Sequence, residues 1–374
     1  MLGNKLSSFD VIIVGAGIVG AACAGELHKK GLKVLVLDAA MPGTGATAAC
    51  MGHVVVMDDS PSMLNFTAYS RQLWSELVKE LPENCEDIMC GTMWVAEDDE
   101  ELEEARKKKA LYESAGVECE LLDSGSLADH EPNLKSGLAG GLRVIHDRVV
   151  YPTNCVRYLL RNIELKTGVN VISVSENEVK TASGEVYRAA KVIVTAGALS
   201  ARLLDLPLIP KKGHLVITER YPGFANHQII ELGYIKKAHS EKGDSCAFNI
   251  QPRKTGQMII GSSREFCGYD KSINQKLLSD MLCRAAYFMP GLGKLKALRV
   301  WTGLRPASED GLPFIGFVQE KKVYVCAGHE GLGITTSLAS AKLLAAQLMN
   351  EKAAVDPGPY DPARIFQESN ANAH

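Results

Sequence analysis

A strand, a glycine-rich turn, a helix and a second strand open the chain, and they restrict its fold more than any other feature. The apolar run Val11 to Val14 is typical of a buried parallel strand, and Ile18 to Lys30 is typical of a helix. A second apolar run, Val34 to Leu37, ends at the carboxylate of Asp38. Three glycines between strand and helix follow the spacing G-x-G-x-x-G. This order predicts the first βαβ unit of a Rossmann-like domain.

Each glycine of the turn has its own physical role in binding a dinucleotide. Gly15 allows the tight turn, Gly17 lets a pyrophosphate approach the backbone, and Gly20 lets the helix pack closely on the strand. The helix N-terminus offers N–H groups and a positive dipole end to the phosphates. Asp38 is placed to bind a ribose 2′-hydroxyl. The sequence therefore predicts a dinucleotide whose adenosine ribose lacks a 2′-phosphate, and leaves FAD and NAD open.

Length and charge add limits on the class of protein. A chain of 374 residues is too long for one ordinary core, so two domains are expected. The 41 basic and 44 acidic residues are interspersed and give a net charge of −3, which argues against nucleic acid or an anionic membrane as partner. No apolar stretch approaches the roughly 20 residues of a membrane span, and residues 1–9 lack the apolar core of a signal peptide. We expect a cytoplasmic protein.

The ten cysteines are scattered, and no two stand in a C-x-x-C pair. Zinc and iron–sulfur sites need at least one closely spaced pair of ligands. Scattered cysteines in a reducing compartment are usually small buried apolar residues. No metal site is expected.

The rest of the chain alternates between two kinds of pattern. A helix from Tyr151 to about Thr167, and the strand Lys191 to Val194 ending in small residues, fit the dinucleotide-binding layer, as do the strand Val323 to Cys326 and the helix Ile334 to Met349. Residues 211–300 instead contain β-like runs separated by polar turns, typical of an antiparallel sheet; these runs are His214–Thr218, Cys246–Gln251 and Met258–Gly261.

These patterns predict a mixed fold class, α/β plus α+β. Residues 1–85, 145–210 and 301–374 would form a discontinuous Rossmann-like domain. Residues 86–144 and 211–300 would form an inserted substrate-binding domain built on the antiparallel sheet.

The chain resembles, over nearly its whole length, the D-amino-acid oxidase superfamily of FAD-dependent oxidoreductases, which includes glycine oxidase, sarcosine oxidase and the D-amino-acid dehydrogenases. The motifs that carry the resemblance are Gly15-Ala-Gly17-Ile-Val-Gly20, Gly45-Ala-Thr47, Thr195-Ala-Gly197, the segment from Gly303 through Arg305 to Gly316, and Gly328-His-Glu-Gly-Leu-Gly333. Within the superfamily, Met51 to Asp59 and Gly328 to Thr335 look most like the D-hydroxyproline dehydrogenase and opine oxidase small-subunit branch.

The resemblance implies that the dinucleotide is FAD. It places Asp38 and Ala39 at the ribose, the backbone of Val174 at the adenine, and Ala46, Thr47 and residues 51–53 in the stretch that runs beneath the flavin. It places the loop after Gly328 over the pyrimidine edge of the flavin, where the following helix N-terminus would stabilise negative charge. The covalent flavin of sarcosine oxidase needs a cysteine near the arginine segment, and Cys283 and Cys326 lie outside it, so FAD should be non-covalent. The cofactor-binding residues implied in this way are Gly15, Gly17, Ile18, Val19, Gly20, Asp38, Ala39, Gly45, Ala46, Thr47, Met51, Gly52, His53, Val174, Thr195, Ala196, Gly197, Gly328, His329, Glu330, Gly331, Leu332, Gly333, Ile334 and Thr335.

Arg305 is the leading catalytic-site candidate, because a guanidinium presents two parallel donors that match a carboxylate. It resembles the arginine that binds the substrate carboxylate in glycine oxidase. The alternative is a structural ion pair with Glu309 or Asp310. Glycine oxidase has a second arginine where this chain has Gly331, so substrate specificity should differ.

Histidines are harder to assign from the sequence. His53 either faces the flavin as a donor, or tunes the protonation of the amine, or is structural. His329 has the same ambiguity as a strand-end residue. In the substrate sheet, nothing in the spacing of His239, Asn249 and Arg264 separates a site from a surface.

The predicted function is oxidation of the C–N bond of a small amino acid, with hydride leaving the α-carbon for flavin N5 and an imine as product. D-amino acids, proline-like substrates such as D-hydroxyproline, and N-substituted glycines all fit this chemistry. Two alternatives stay open: an FAD-holding subunit of a multi-subunit electron-transfer dehydrogenase, with partner chains supplying further centres, and an NAD-dependent dehydrogenase.

Overall fold

A computed structural model describes residues 9–233 and 243–364. His239 and residues 1–8 of the N-terminal segment lie outside these ranges. The described residues form four sheets with helices packed around two of them.

The strands, in chain order, are β1 (Val11–Val14), β2 (Val34–Leu37), β3 (His53–Val54), β4 (Thr92–Ala96), β5 (Cys119–Asp123), β6 (Gly140–Val144), β7 (Arg148–Val149), β8 (Glu164–Lys166), β9 (Val171–Ser175), β10 (Glu178–Thr181), β11 (Val186–Arg188), β12 (Lys191–Val194), β13 (Ile209–Thr218), β14 (Gln228–Glu231), β15 (Ser245–Pro252), β16 (Met258–Arg264), β17 (Ala297–Ala307), β18 (Phe314–Val318) and β19 (Val323–Ala327).

The α-helices are α1 (Ile18–Lys29), α2 (Pro61–Leu77), α3 (Asp99–Ser114), α4 (Ser124–His130), α5 (Pro152–Leu159), α6 (Ser200–Leu204), α7 (Gln275–Phe288) and α8 (Gly333–Leu348). Short 3-10 turns are found at Glu83–Cys85, Gly197–Leu199, Pro290–Lys294 and Gly358–Tyr360.

The first large sheet has six strands in the order β18-β19-β12-β1-β2-β8. Its strands run parallel except for β18, which pairs antiparallel with β19. Strands β1 and β2 are buried on both faces, one by a core that includes α1 and α8 and the other by a core shared with β9, β10 and α6. The predicted Rossmann-like layer is confirmed.

One element of this layer differs from the sequence prediction. The helix that begins after Tyr151 ends at Leu159, well before Thr167, and Glu164–Lys166 is an edge strand paired with β2. Pairing with the exposed edge of β2 outweighs the helical preference of this segment, because tertiary contacts override weak local propensity.

The second large sheet has eight strands in the order β17-β13-β16-β15-β14-β4-β6-β5. It is a mixed sheet rather than a purely antiparallel one, because β14 and β4 run parallel. Strand β17 pairs with β13 over its length, from Ala297 opposite Thr218 to Ala307 opposite Ile209. Residues 301–307, assigned from the sequence to the dinucleotide-binding part, therefore belong to this sheet. Helix α7 covers one face of it, where Phe288 stacks on Phe248 at 4.9 Å.

Candidate cofactor and substrate site

The six- and eight-stranded sheets enclose a cavity of about 1470 Å³. Small-molecule sites of roughly 300–1,000 Å³ are usual, so this cavity has room for a larger ligand together with a substrate. Its lining includes Val14 and Leu37, the last residues of β1 and β2. Open α/β sheets bind ligands at this carboxyl edge of their strands.

The turn between β1 and α1 is held in a form that only glycine permits. Gly15 has φ +114°, and a Cβ on it would stand 2.6 Å from the carbonyl oxygen of Thr195. A Cβ on Gly20 would stand 2.0 Å from the carbonyl oxygen of Gly15. The Thr195 hydroxyl also donates to that oxygen, at 2.9 Å. The predicted roles of Gly15 in the turn and of Gly20 in packing are thus visible in the geometry.

Side chains from two other segments fix the start of α1. The amide of Ala16 donates to Asp38 Oδ2 at 2.6 Å, and the amide of Ile18 donates to Thr47 Oγ1 at 3.1 Å. No side chain caps the helix at Gly17, and both Gly17 and Asp38 line the cavity. A carboxylate oxygen accepts more than one hydrogen bond, so Asp38 can hold the turn and still receive a ribose hydroxyl.

All but four of the cofactor residues named from the sequence line this single cavity. Gly20 packs α1 on β1, and Gly328, with φ +89°, packs against Leu208 and Phe314. The side chain of Val174 lies in the apolar core between the small sheet and the six-stranded sheet, so the contact to the adenine that the resemblance implies, which is made by the backbone of Val174, stays a prediction. Residues 169–172, which precede it, line the cavity instead.

The fourth residue, Thr335, is buried beneath the cavity and braces its wall. Its hydroxyl donates to the carbonyl of His53 at 3.0 Å and accepts from the amide of Val55 at 3.1 Å. From the eight-stranded sheet, the Gln251 amide donates to the carbonyl of Met51. Residues 51–53, which the resemblance places beneath the flavin, and Val55 are therefore held by α8 on one side and by the eight-stranded sheet on the other.

Histidine 53 is a neutral side chain in this wall. Burial lowers the pKa of His53 to about 3, with an opposing hydrogen bond from Gln251. Within the described residues, its Nε2 atom has no hydrogen-bond partner. A neutral ring near a ligand acts through hydrogen bonds rather than charge.

His329 also lines the cavity, but its ring is engaged elsewhere. Its Nε2 lies 2.9 Å from the hydroxyl of Ser340 in α8. Burial lowers the pKa of His329 to about 3. This contact favours the structural interpretation of His329.

Arg305 reaches across the face of the eight-stranded sheet. A Cβ on Gly213, in the neighbouring strand β13, would stand 2.5 Å from Arg305 Nη2, so the guanidinium lies over this glycine. Arg305 Nη1 donates to the carbonyl of Ser263 in β16 at 3.0 Å. The guanidinium therefore ends two strands away from its own backbone, inside the cavity lining.

The structural ion pair considered from the sequence is not formed. Asp310 pairs with Arg364, at 2.7 Å from Nε to Oδ2. In the described part of the chain no ion pair joins Arg305 to Glu309. Beside Arg305 on the same pair of strands, Lys211 is bound at 2.9 Å to Glu330 of the loop after β19. Gly331 leaves space next to Arg305, since a Cβ there would stand 3.9 Å from Arg305 Cδ.

Several functional features carry no signal in the sequence. Gly213 and Gln251 sit in strands whose face is known only once the sheet is assembled. Cys50 and Cys326 both line the cavity, although neither is near Arg305 in sequence. Burial raises the pKa of the Cys50 thiol to about 12 and that of Cys326 well above its ordinary range, so both are protonated.

Two other features, a metal site and a membrane-spanning helix, are not found among the described residues. No group of three or more His, Cys, Asp or Glu side chains is arranged to hold a metal ion. None of the helices in the same ranges is long and apolar enough to cross a membrane.

A Rossmann-like sheet whose carboxyl edge opens into a large cavity, closed by a second sheet carrying an arginine, defines a dinucleotide-dependent enzyme. The lining fits FAD because Gly15 and Gly17 leave the backbone open to a pyrophosphate and the N-cap residue of α1, Gly17, has no side chain of its own to occupy the helix N-terminus. The chain belongs to the DAO family of FAD dependent oxidoreductases, whose model matches residues 10–347. The cofactor is therefore FAD rather than NAD.

Individual relatives cover nearly the whole chain. Hydrogen cyanide synthase subunit HcnC from Pseudomonas aeruginosa is 27% identical over 424 residues, covering 98% of each chain. Glycine oxidase from the same organism is 28% identical and covers 94% of this chain and 98% of its own. The crystal structure of glycine oxidase from Geobacillus kaustophilus superposes with a TM-score of 0.85 at 25% identity, covering 95% of this chain and 98% of that one.

Proposed function

We propose that this protein oxidises the C–N bond of a small amino acid. The observation that carries the proposal is Arg305, a guanidinium held over Gly213 in the wall of the cavity that fits FAD. A guanidinium in this position binds a carboxylate through two parallel hydrogen bonds. The glycine oxidases among the relatives support an amino acid as the ligand.

The protein's contribution is mainly to position the substrate and to stabilise charge. Arg305 holds the carboxylate and thereby fixes the α-carbon in the cavity. Neutral His53 keeps that part of the wall uncharged, which favours a neutral amine. The N-terminus of α8, at Gly333, lines the cavity and places a positive dipole end there. When bound, FAD would accept the hydride that leaves the substrate carbon, and with it both electrons of the oxidation.

Anaerobic reduction of the bound flavin tests the proposal. The panel contains glycine, sarcosine, D-alanine, D-serine, D-proline, its hydroxylated form and iminodiacetate, and loss of the flavin absorbance is followed in each case. At least one compound should bleach the flavin at a rate that rises with concentration to saturation. A holoprotein that none of these compounds reduces would contradict the proposed function.

We also infer that FAD is bound without a covalent link. The two cysteines in the cavity wall are buried and protonated, and a thiol in that state is a poor nucleophile. After acid precipitation, the yellow colour should stay in the supernatant. Colour retained in the washed pellet would show that the cofactor is covalently attached.

A second candidate function is that of an FAD-holding subunit within a larger electron-transfer complex. The relative named as a subunit of hydrogen cyanide synthase, which matches over 98% of the chain, favours it. Native mass measurement on protein purified from its own source, with iron analysis, separates the two candidates. A complex containing other chains and iron would support the second.

A further inference from the structure

Arg305 accounts only for the carboxylate of the proposed substrate, and the rest of the substrate has no assigned partner. Strand β15 supplies the next wall of the cavity, one strand beyond the strand that carries Ser263. Its residues alternate between two faces. Phe248 and Ile250 belong to the apolar core beneath α7, whereas Ala247 and Asn249 line the cavity and Gln251 binds the segment beneath the flavin site.

Asn249 lies on the strand next to the one whose Ser263 carbonyl binds the guanidinium of Arg305. In the β15–β16 ladder, Asn249 is opposite Gly261, and Ser263, whose carbonyl holds the guanidinium, lies two residues further along. Adjacent strands are about 4.8 Å apart, and two residues along a strand span about 6.8 Å, so the backbone positions of Asn249 and Ser263 are roughly 8 Å apart on the diagonal. That separation suits an amino acid whose carboxylate meets Arg305 while a substituent meets Asn249.

Asn249 has hydrogen-bonding capacity that the fold does not use. Its Oδ1 atom is buried and has no partner among the described residues. Gln251, two residues along on the same face, already donates to the Met51 carbonyl, and Ala247 has no polar atom. An unpaired buried amide is unfavourable, so a ligand that pairs it is selected over one that does not.

The surroundings of Asn249 are apolar. Its neighbour on β14 is Ile230, whose own neighbour on β4 is Trp94, and both line the cavity. On the other side, Gly261 has no side chain, and a Cβ there would meet Leu215 and Met51. The substituent that fits is a hydrocarbon body carrying one polar group.

We propose that Asn249 is a specificity-determining residue that recognises a hydroxyl on the substituent of the amino-acid substrate. A hydroxyl both donates and accepts, so it matches the carbonyl and the amino group of a carboxamide together. The reacting nitrogen is a poorer match, because its lone pair is needed for C–N oxidation. This inference rests on the proposed function and narrows its substrates to hydroxylated amino acids.

The test compares matched pairs of substrates: D-serine with D-alanine, and 4-hydroxy-D-proline with D-proline. We expect kcat/KM of the protein to favour the hydroxylated member of at least one pair ten-fold or more. In Asn249→Leu, which keeps the size but loses the amide, that preference should fall to near one. Asn249→Ala should behave in the same way, and it avoids any overpacking.

Gln228→Leu is the matched control. Gln228 lies on the adjacent strand β14 and outside the cavity lining, and neither atom of its buried amide has a partner among the described residues. Its loss should leave the preference intact. Equal kcat/KM values within both pairs, or a preference retained in both Asn249 variants, would overturn the assignment while amino-acid oxidation stands. If none of the four compounds nor any other amino acid of the panel reduces the flavin, the proposed function fails and this inference fails with it.

Discussion

The two ends of the cavity are built in different ways. At the nucleotide end, Gly15, Gly17 and Gly20 lie within six residues of one another, and they act by leaving the backbone unobstructed. A Cβ added at Gly20 or Gly15 would stand only 2.0 or 2.6 Å from a backbone carbonyl oxygen. At the substrate end, Arg305, Gly213 and Ser263 come from three strands and meet only when the eight-stranded sheet forms. Almost no side chain can replace the glycines at the nucleotide end. At the substrate end, side chains can be exchanged while the backbone of the eight-stranded sheet stays the same.

The two ends of the cavity differ in this way because one binds the cofactor and the other is proposed to bind the substrate. A local backbone motif recognises the part of the ligand that never varies, the dinucleotide. In the proposed function, side chains carried on the eight-stranded sheet recognise the other part, the substrate. Substitutions at the two ends should therefore give different classes of defect, and the following changes test that.

Gly20→Ala should give the largest effect. The new Cβ would lie 2.0 Å from a backbone carbonyl, which cannot move without displacing β1 from α1. We expect loss of FAD and a stability decrease of about 4 kcal/mol or more, measured by the ratio of flavin to protein absorbance and by thermal unfolding. Gly25→Ala, in the same helix and with its nearest contact at 3.5 Å, is the control and should be neutral or stabilising. A Gly20→Ala protein with full FAD content would break the comparison.

Arg305→Lys should affect activity without affecting the cofactor. Loss of the bidentate carboxylate contact should lower kcat/KM at least about 100-fold, while FAD content and unfolding temperature stay near the parent values.

Gly213→Ala should give a smaller loss in kcat/KM of about ten-fold, because the Arg305 guanidinium is flexible and can shift by the small distance required. Arg299→Lys, in the same strand but exposed and outside the cavity, is the control. Equal losses in Arg299→Lys and Arg305→Lys would show that Arg305 has no special role.

The same contrast explains how much could be read from the sequence. The order Val11–Val14, Gly15, Ile18–Lys30 and Asp38 predicts the first βαβ unit, because its determinants are local. The mixed character of the second sheet, the membership of residues 301–307 in it, and the strand at Glu164–Lys166 depend on pairing between distant segments. The burial of the Val174 side chain has a related cause, because only the packing of the small sheet decides which of its residues face the core.

Thr335→Val should have an intermediate effect, and it should change both the stability of the protein and the environment of the flavin. The substitution is nearly isosteric but leaves the carbonyl of His53 and the amide of Val55 without their buried partner. We expect a stability loss of about 1–3 kcal/mol and a change in the flavin absorbance spectrum. Thr336→Val is the matched control, since that hydroxyl only donates to Leu332 one turn earlier in the chain. Identical behaviour of the two variants would mean that Thr335 does not brace the wall.

The smallest expected effect is a loss of protein stability at acidic pH. It should originate in the buried rings of His53 and His329, which are surrounded by residues distant in sequence. Burial lowers the pKa of His329 and of His53 from 6.5 to about 3 in the folded protein. The unfolded chain therefore takes up protons between pH 6.5 and 3 that the folded protein does not, and stability is lost as the pH falls through this window. The urea midpoint should drop between about pH 7 and about pH 5, and it should drop less in His329→Asn, which loses one of these two contributions. If the variant keeps the full drop, the ring of His329 is not excluded from protons in the folded state, and the acid response must come from groups elsewhere in the chain.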